Sequence, residues 1–383
     1  MQVAIFCSVI DNFGDIGICW RLARQLSAEH QWQVQLYVDD LSAFKRICPE
    51  VEPALAQQQI LSIEVIAWTP TTHWPAQTPD VVIEALACQV PTAYLQQVAQ
   101  QNPQAIWLNL EYLSAEAWVE GCHGLPSLQP EIQLKKYFFF PGFTPATGGL
   151  LREQHIVAQA EKIRQDKQWQ QRFWQQLQVD DFADFALKVS LFAYGQTQIK
   201  SWLITLSQQH ERTLLLVPEG VLAEQIRAEF PILQQASRLE IATLTVQMMP
   251  FMPQQDYDLL LALCDVNFVR GEDSVIRAHW AGRPFIWQIY RQAEQAHRQK
   301  LHDFLSLQLA SAPQDITSLV RRVHDSWDLE EDFSEIWSEY RKNLDKIQKH
   351  TVNWQQFLTQ QQDLASNLVR FVEKKLIMPR NFS

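Results

Sequence analysis

Several patterns that mark common protein classes are missing from this sequence of 383 residues. It has only six cysteines and no C-x-x-C pair, so neither a zinc site nor a disulfide framework is indicated. Lys and Arg number 32 against 43 Asp and Glu, and the formal net charge of -11 argues against a general nucleic-acid binder, which would carry a basic stripe. No apolar run approaches about 18 residues, so no membrane-spanning helix is expected.

Short catalytic motifs are also missing. The chain lacks G-x-G-x-x-G, G-x-x-x-x-G-K-[ST], H-E-x-x-H and G-x-S-x-G, so dinucleotide binding, a P-loop, a helical zinc site and a nucleophile elbow are unsupported. His297 and His302 are five apart and do not align on a helix, so we predict no metal site. The cysteines lie mostly in apolar runs, as Cys7 does, which indicates buried thiols in a reducing compartment. The N-terminus enters an apolar run without a basic leader, and we expect a cytoplasmic protein.

What the chain does contain is an alternation of short apolar runs with amphipathic segments. Its length exceeds what one hydrophobic core usually organises, so we predict two domains, 1–150 and 151–350, followed by a C-terminal helix over 351–383 that packs back on the first domain. Alternating strands and helices imply parallel sheets with ligands at the carboxyl ends of the strands. The predicted strands are 3–9, 34–38, 63–68, 81–86, 106–110, 187–194, 213–217, 239–246, 266–269 and 284–289.

Other stretches are assigned by periodicity and composition. A segment rich in Pro, Gly and aromatic residues, 121–149, is predicted to be irregular, and a Gln-rich stretch with regularly spaced apolar residues is predicted to be one helix over 152–177. The pattern from 292 onward is helical almost to the end. Further helices are predicted over 198–207, 221–230, 256–263 and 274–280.

The first loop that could carry chemistry runs from Asp11 to Gly17, directly after the first predicted strand. A strand-to-helix turn exposes backbone N–H groups, and Gly14 and Gly17 allow a ligand to approach closely. Two carboxylates in the loop, Asp11 and Asp15, would repel a phosphate; they better suit proton abstraction or a cationic or hydroxyl-bearing acceptor. The residues alone leave a structural alternative open, in which Asp11 caps a turn and Asp15 caps the following helix.

A second such loop places Arg270, Glu272, Asp273 and Ser274 between a predicted strand and a predicted helix. Ser274 and N–H groups at a helix start can bind a phosphate, and Arg270 can add charge-assisted hydrogen bonds. The two acids would repel that phosphate unless they point at sugar hydroxyls or orient another side chain. A diphosphate that carries a sugar satisfies both demands. The structural alternative is a helix start capped by Asp273 or Ser274, with Arg270 in a surface ion pair.

Aromatic residues and an amide accompany these loops. Phe192 and Tyr194 end a predicted strand, and Gln254 precedes a predicted helix. An aromatic face and an amide suit a nucleobase, which stacks on one and hydrogen-bonds the other. Taken singly, each aromatic residue is more typical of a core position.

Several long segments are distinctive: IFCSVIDNFGDIGICWRLARQL, NLEYLSAEAW, KYFFFPGF with TGGLLRE, PFMPQQDYDLLL and NFVRGEDSVIRAHWAGRPFIWQIY. Together they closely resemble the protein-arginine rhamnosyltransferases that modify translation elongation factor P, the EarP family. The segments run in the same order from residue 5 to about residue 290. Gln288 and Arg291 depart from the family pattern, in which His and Pro are expected at these positions.

The resemblance implies a fold, a reaction and its partners. It implies the GT-B fold, an α/β architecture of two Rossmann-like domains facing across a cleft, with an acceptor-side domain over 1–150 and a nucleotide-sugar-binding domain over 151–350. It implies inverting transfer from a dTDP-β-L-rhamnose donor to an arginine side chain of elongation factor P. Neither a cofactor nor a metal is expected beyond that donor, and neither nucleic acid nor membrane is expected as a partner.

The resemblance also assigns a donor site. Residues 12–14 would close over the sugar, residues 270–274 would hold the diphosphate and the sugar, and the aromatic residues with the amide would surround the base. The implied donor-binding residues are Asn12, Phe13, Gly14, Phe192, Tyr194, Gln254, Arg270, Gly271, Asp273 and Ser274.

Three acidic residues receive catalytic roles from the same resemblance. Asp15 would be the general base, Asp11 would orient the acceptor guanidinium, and Glu272 would be a further acidic group needed for turnover. Two alternatives are a GT-B glycosyltransferase with another donor or acceptor, and a catalytically silent nucleotide-sugar-binding protein. A silent protein would be expected to lack the acidic pair, yet both Asp11 and Asp15 are present.

Overall fold

The computed structural model of the chain describes residues 1–10, 13–69, 72–290 and 296–377. Within these ranges the strands are β1 (Gln2–Cys7), β2 (Gln33–Val38), β3 (Gln57–Ile60), β4 (Ile63–Ala67), β5 (Val81–Ala85), β6 (Ile106–Leu110), β7 (Pro126–Ser127), β8 (Lys135–Phe139), β9 (Leu187–Leu191), β10 (Thr213–Pro218), β11 (Arg238–Ile241), β12 (Leu244–Met249), β13 (Val266–Arg270) and β14 (Phe285–Gln288). The helices are α1 (Gly14–His30), α2 (Leu41–Ile47), α3 (Thr92–Gln101), α4 (Trp118–Cys122), α5 (Ile156–Gln165), α6 (Lys167–Gln176), α7 (Ile199–Ser207), α8 (Val221–Glu229), α9 (Gln254–Leu263), α10 (Gly271–Ala281), α11 (Ala296–Gln308), α12 (Gln314–Asp328), α13 (Ser334–Lys342), α14 (Leu344–Thr359) and α15 (Leu364–Ile377).

The chain divides into two compact units. One comprises Met1–Gln154 together with Thr359–Ser383, and the other comprises His155–Leu358. The sequence predicted a single terminal helix over 351–383, whereas α14 ends at Thr359 and a new helix, α15, follows. The Asp363 carboxylate accepts a hydrogen bond from the Ser366 N–H at 3.0 Å, which caps the start of α15 and separates it from α14.

The first unit is built on a sheet with the strand order β3-β4-β2-β1-β5-β6-β8-β7, in which only the β3 and β7 edges pair antiparallel. Its central strand, β1, pairs in parallel with β2 through Val3 and Val34 and with β5 through Val3 and Val81. Residues 3–7 are almost fully buried, because a continuous apolar run suits a parallel strand covered on both faces. Helix α1 packs against β1 and β2 and also contacts α15.

The second unit has a sheet with the order β11-β12-β10-β9-β13-β14. All pairs are parallel except β11 with β12, and Val189 of the central β9 pairs with Leu215 on one side and Val266 on the other. Each unit therefore has a Rossmann-like α/β arrangement, as predicted from the alternation of strands and helices.

Three further sequence-based assignments of local structure are wrong. The segment 121–149 is not wholly irregular, because β8 pairs in parallel with β6 through Tyr137 and Leu108. The pattern of β8 is mixed, with Lys135 exposed and Phe139 buried, so it lacks the continuous apolar run that marks the inner strands. The stretch 239–246 is not one strand either.

The stretches 239–246 and 152–177 are each divided by a feature of the local backbone. The strands β11 and β12 form an antiparallel hairpin that turns at Ala242, which has a φ of 48°. The Gln-rich stretch 152–177 contains two helices, α5 and α6, because the chain breaks at Asp166. The Asp166 carboxylate accepts a hydrogen bond from the Trp169 N–H at 3.0 Å and so caps α6.

The cysteines are free thiols. Five of them are buried, as the sequence predicts, and Cys122 is half-buried. No helix in the described part of the chain is long and apolar enough to cross a membrane.

Candidate active site

Both sheets have a topological switch point, the place where successive strands leave a central strand in opposite directions. In the first sheet the chain runs outward from β1 through β2 to β4 and then returns to the other side of β1 to form β5. In the second sheet it runs from β9 through β10 to β12 and then returns to form β13 beside β9. Ligands of open α/β sheets bind at the carboxyl ends of the strands at such points. The sequence-predicted site residues cluster at these two edges.

We call residues 8–15, after β1, the strand-one corner. Asp11 and Asn12 lie outside the described residues. The Asp15 side chain is only 2% exposed, and its Oδ2 accepts a hydrogen bond from the Ile10 N–H at 2.9 Å. This contact joins the end of β1 to the first turn of α1, where the Asp15 carboxylate lies at the positive end of the helix dipole.

Asp15 is not the N-cap of α1, so the structural alternative for this residue is wrong. The helix begins at Gly14, Phe13 occupies the N-cap position, and no side chain caps the helix there. Asp15 falls in the first turn, since the Gly17 N–H already bonds to the Phe13 carbonyl at 2.9 Å. The half-buried Phe13 ring lies 5.2 Å from the guanidinium carbon of Arg46.

The buried thiols of Cys7, Cys19 and Cys88 lie close to the strand-one corner. The Ser8 hydroxyl donates to the Cys88 sulfur at 3.4 Å. A hydrogen bond with Cys19, together with burial, raises the pKa of Cys7 well above its usual range, and burial raises the pKa of Cys88 to about 12. A raised pKa disfavours the thiolate, which is the nucleophilic form of cysteine.

We call Arg270 to Ser274, at the end of β13, the strand-13 corner. Helix α10 begins at Gly271, three residues earlier than the sequence predicts, with Arg270 at the N-cap position. Gly271 has a φ of 64°, a left-handed conformation that favours glycine and allows the abrupt change from strand to helix. Glu272 and Asp273 fall in the first turn and Ser274 is buried, so neither Asp273 nor Ser274 is the N-cap.

The Arg270 guanidinium is held by the two aromatic residues that follow β9. Its carbon lies 4.4 Å from the Phe192 ring centroid and 4.8 Å from the Tyr194 ring centroid. These separations are typical of cation–π contacts, which orient the planar guanidinium without neutralising it. Phe192 and Tyr194, predicted to surround a base, therefore also position the cation of the strand-13 corner.

Gln254 is the first residue of α9 and is brought to the same edge. Its amide nitrogen donates to the Asp273 carboxylate at 3.1 Å, and its side chain is 8% exposed. The structure thus joins three predicted segments of the second unit, 192–194, 254 and 270–274, around one strand edge.

Further residues at this edge, which the sequence patterns do not indicate, connect α9 to α10. Arg277 donates from Nε and Nη2 to the two carboxylate oxygens of Asp258, both at 2.9 Å, and both side chains are at least nine-tenths buried. Tyr257 lies edge-on to Phe192 with centroids 5.7 Å apart, and burial raises the pKa of its phenol well above its usual range. The periodicity of α9 and α10 places these side chains on helix faces, but nothing local pairs two groups 19 residues apart.

Gln288 and Trp287 of β14 support this edge from the other side. The Gln288 side-chain oxygen accepts a hydrogen bond from the Tyr194 N–H at 2.7 Å, and the Trp287 indole N–H donates to the Gly271 carbonyl at 3.0 Å. Gln288 therefore positions the loop after β9. Arg291 lies outside the described residues.

Metal-ligating side chains do not converge in the described part of the chain. No group of three or more His, Cys, Asp or Glu residues there could hold a metal ion. His302 Nε2 instead lies 2.9 Å from the Asp325 carboxylate, and His297 Nε2 lies 3.7 Å from that of Asp328.

Solved structures support the fold assigned to the two units. The chain is similar to MurG from Acinetobacter baumannii, with 10% identity, a TM-score of 0.50 and coverage of 97% of this chain and 99% of that one. It is also similar to a glycosyltransferase from Rickettsia africae, with 9% identity, a TM-score of 0.55 and coverage of 99% of both chains. At these identities the similarity concerns the fold alone, and it confirms the predicted GT-B class.

A third solved structure and two curated relatives are much more similar in sequence. The structure, described as the structural basis for EarP-mediated arginine glycosylation of translation elongation factor EF-P, is 31% identical with a TM-score of 0.68 and covers 97% of this chain and 99% of that one. A protein-arginine rhamnosyltransferase of Pseudomonas putida is 45% identical over 97% of this chain and 98% of its own length. One of Neisseria meningitidis is 35% identical over 97% of this chain and 96% of its own length.

The family model described as elongation-factor P (EF-P) rhamnosyltransferase EarP matches residues 3–373. The match spans both switch points, and the relatives align over nearly their whole lengths. The chain therefore belongs to the EarP family of elongation-factor P rhamnosyltransferases.

Proposed function

We propose that this protein transfers L-rhamnose from dTDP-β-L-rhamnose to an arginine side chain of elongation factor P, with inversion at the anomeric carbon. The observation that carries the proposal is the strand-13 corner, where Arg270 is held on two aromatic rings beside a helix start that no side chain caps. A cation and a helix N-terminus at a switch point suit a diphosphate. Membership of the EarP family and the names of its relatives supply the sugar and the acceptor.

The donor would bind mainly to the second unit. Arg270, Gly271 and Ser274 would hold the diphosphate, because a guanidinium and the N–H groups of a helix start both favour an anion. The ring faces of Phe192 and Tyr194 and the amide of Gln254 would surround the thymine base. Asp273 and Glu272 carry negative charge and would contact the sugar hydroxyls rather than the diphosphate.

The acceptor chemistry needs a group that takes a proton from a guanidinium. A guanidinium has a pKa above about 12 and delocalised lone pairs, so deprotonation before attack is unfavourable. Asp15 would take the proton as the C–N bond forms, while Asp11 would hold the guanidinium and localise electron density on the attacking nitrogen. Asn12, Phe13 and Gly14 would close over the sugar, and Glu272 would be needed for turnover.

The displacement would occur in one step. The arginine nitrogen attacks the anomeric carbon from the face opposite dTDP, the bond from that carbon to the diphosphate oxygen breaks, and the configuration inverts. The nitrogen's proton goes to Asp15. Arg270 and the N-terminus of α10 stabilise the negative charge on the departing dTDP. Because the proposed acceptor is a translation factor, the reaction would take place in the cytoplasm.

The test is incubation of the purified chain with elongation factor P and dTDP-β-L-rhamnose, followed by intact-mass and peptide mass spectrometry. We expect the addition of one deoxyhexose to one arginine, and NMR of the product should show the inverted anomer. Elongation factor P with that arginine changed to Lys serves as the control. A product only with another sugar nucleotide would replace the donor, and tight dTDP-rhamnose binding without any product would indicate a silent binding protein.

Metal removal tests the proposed leaving-group chemistry. Because Arg270 and the N-terminus of α10 stabilise the negative charge of the departing diphosphate, no metal ion is needed for this purpose. We therefore expect the transfer rate with EDTA to stay within about twofold of the rate of the untreated enzyme. The measurement is the initial rate with and without the chelator, and with added magnesium. Activity that EDTA abolishes and magnesium restores would contradict this scheme.

A further inference from the structure

The chain passes between the two units twice. It leaves the first unit after Gln154 and returns to it at Thr359. We call residues 150–154 the outgoing connection and residues 359–363 the returning connection. Both connections form hydrogen bonds to α1, the helix whose first turn carries Asp15. The helix of the proposed base is therefore bonded to both passages of the chain.

Helix α1 carries three polar residues that contact these connections: Arg21, Gln25 and Glu29. We call them the polar stripe, because residues four apart lie along one face of a helix. Arg21 is 1% exposed and Gln25 is 2% exposed. Burying polar groups costs free energy unless they are hydrogen-bonded, so the contacts of the polar stripe must offset this cost.

Gln25, at the centre of the polar stripe, bonds to both connections through one NH₂ group. Its Nε2 donates to the Arg152 carbonyl of the outgoing connection at 2.8 Å and to the Asp363 carboxylate of the returning connection at 3.0 Å. A third contact, at 2.9 Å, is with the carboxylate of Glu29 on the same helix. All three neighbours are acceptors, which fixes the orientation of the carboxamide. The outgoing chain, the returning chain and α1 thus meet at Gln25.

The other two members of the polar stripe hold the outgoing connection on either side of the contact with Gln25. Glu29 Oε1 accepts a hydrogen bond from the Gln154 N–H at 2.8 Å. Arg21 Nη1 lies 3.4 Å from the Glu153 carboxylate, and both side chains of this pair are largely buried. The last three residues of the outgoing connection are therefore each in contact with one residue of the polar stripe.

Arg152 joins the two connections to each other directly. Its guanidinium donates a hydrogen bond to the Gln361 carbonyl at 3.0 Å. Burial lowers the pKa of Arg152, whereas the negative charges of Asp363 and Glu29 raise it. The positive charge of the outgoing connection is therefore stabilised by one carboxylate from the returning connection and one from α1.

Stability alone does not require a polar stripe at this place. Apolar side chains of similar volume would bury a similar area without the cost of desolvating polar groups. Hydrogen bonds are directional, however, so a buried polar network favours one arrangement of its members over others. The polar stripe therefore suits a role in which the exact position of the two connections matters.

We propose that Gln25 is a positioning residue of the transfer reaction, which fixes the outgoing and returning connections on α1. The inference rests on the proposed function, in which Asp15 of the first unit and Arg270 of the second both take part. Such a reaction depends on how firmly the connections are attached, because a small displacement of a reacting group lowers the rate strongly. Binding of dTDP, which is proposed to use the second unit, does not depend on them.

The test is Gln25→Leu, which removes the NH₂ group and keeps a similar side-chain volume. We expect kcat, measured by mass spectrometry at saturating donor and acceptor, to fall about tenfold or more. The dissociation constant for dTDP, measured by calorimetry, should stay near the wild-type value. Hydrogen exchange should increase in the outgoing and returning connections, because their hydrogen bonds to α1 are lost.

Two further variants accompany this test. Gln97→Leu makes the same change on α3 of the first unit, where the half-buried Gln97 donates to the Pro75 carbonyl at 2.7 Å, and should leave all three measurements unchanged. Glu29→Gln keeps the shape of a half-buried side chain but replaces an acceptor of the Gln25 NH₂ group. We expect it to lower kcat about threefold, and to fold even if Gln25→Leu does not.

Each other outcome overturns a stated claim. A folded Gln25→Leu protein with the wild-type kcat would remove Gln25 from this role, and so would a lower kcat without increased exchange in the two connections. An equal loss of kcat and of dTDP affinity would indicate a general disturbance of the fold and would also overturn the positioning role. If Gln25→Leu does not fold, a wild-type kcat in Glu29→Gln would overturn it. A wild-type protein that transfers no sugar would instead overturn the proposed function.

Discussion

Two charged residues of opposite sign occupy the two switch points in different surroundings. Asp15 is nearly fully buried and accepts a backbone hydrogen bond, whereas Arg270 is half-buried and lies against two rings. Burial fixes the position of the Asp15 carboxylate, and the two aromatic contacts fix the position of the Arg270 guanidinium.

Asp15→Asn tests the proposed base. The amide keeps the shape and can still accept from the Ile10 N–H, but it cannot take a proton, so we expect kcat to fall about 100-fold or more. The dissociation constant for dTDP-rhamnose should stay near the wild-type value. Asp39→Asn is the matched control, because Asp39 accepts from the Val9 N–H at 2.9 Å in the same region and is exposed. Wild-type turnover by Asp15→Asn, measured by single-turnover mass spectrometry, would remove Asp15 from this role.

Arg270→Lys tests the proposed diphosphate site. Lysine keeps the charge but loses the planar fork and its stacking on Phe192 and Tyr194, so we expect the KM for the donor to rise about tenfold or more. Calorimetry with dTDP should show the same loss of affinity. Arg238→Lys changes an arginine paired with Asp181 elsewhere in the second unit and should leave both values unchanged. An unaltered affinity for dTDP in Arg270→Lys would show that the diphosphate binds elsewhere.

At the scale of secondary-structure elements, hydrogen bonds from β14 and α12 support the start of α10. The Trp287 backbone N–H donates to His324 Nε2 at 3.2 Å, and the Trp287 indole donates to the Gly271 carbonyl at 3.0 Å. His324 Nδ1 lies 2.9 Å from the Val320 carbonyl, so the neutral imidazole carries its proton on Nδ1 and donates there. One neutral histidine therefore connects α12 through β14 to the corner that is proposed to bind the donor.

This arrangement makes stability depend on pH. Burial lowers the pKa of His324 from about 6.5 to about 4, so its stabilising contribution is complete above pH 6.5 and is lost as the pH falls towards 4. We expect this residue alone to lower the free energy of unfolding by about 1.4 kcal/mol per pH unit across that interval. Urea unfolding at a series of pH values would measure it, and His324→Phe should show a shallower dependence by that amount. Equal slopes in the two proteins would contradict the assignment.

Element boundaries show what local patterns can and cannot predict. The inner strands were placed to within a few residues because a continuous apolar run has no other arrangement that buries both faces. The start of α10 was predicted three residues too late, because the decisive feature is the left-handed Gly271 and its contact with Trp287, which is distant in sequence. The break at Asp166 was missed because the apolar spacing continues across it.

At the scale of the whole molecule, the chain returns at its C-terminal end to the first unit. Helix α15 belongs to the same unit as the N-terminal residues. The Leu364 N–H donates to the Leu150 carbonyl at 2.9 Å, and Asn367 donates to the Gly148 carbonyl at 3.0 Å. Gly149 has a φ of 80°, and a Cβ there would lie 2.5 Å from the Gln362 carbonyl oxygen. The glycine is thus required both by its backbone conformation and by this close approach.

Leu368→Ala tests the role of this returning helix. Leu368 is fully buried in α15, so we expect the first unit to lose about 2–5 kcal/mol of unfolding free energy. Hydrogen exchange should increase in Met1–Gln154 and leave His155–Leu358 unchanged. Leu305→Ala, which removes an equally buried leucine from α11, should show the reverse pattern. Increased exchange in both units of Leu368→Ala would contradict the assignment of α15 to the first unit.

The sequence by itself determined the alternation of strands and helices, because hydrophobic periodicity acts locally. It also located the two loops of charged residues that follow strands, the one with Asp15 and the one with Arg270, because turn residues act locally as well. Only the tertiary structure decided that Asp15 is buried in the first turn of α1, that Phe192 and Tyr194 hold Arg270, and that α15 completes the first unit. These features depend on contacts between residues far apart in the chain, whose pairing follows from strand order and helix packing rather than from any local pattern.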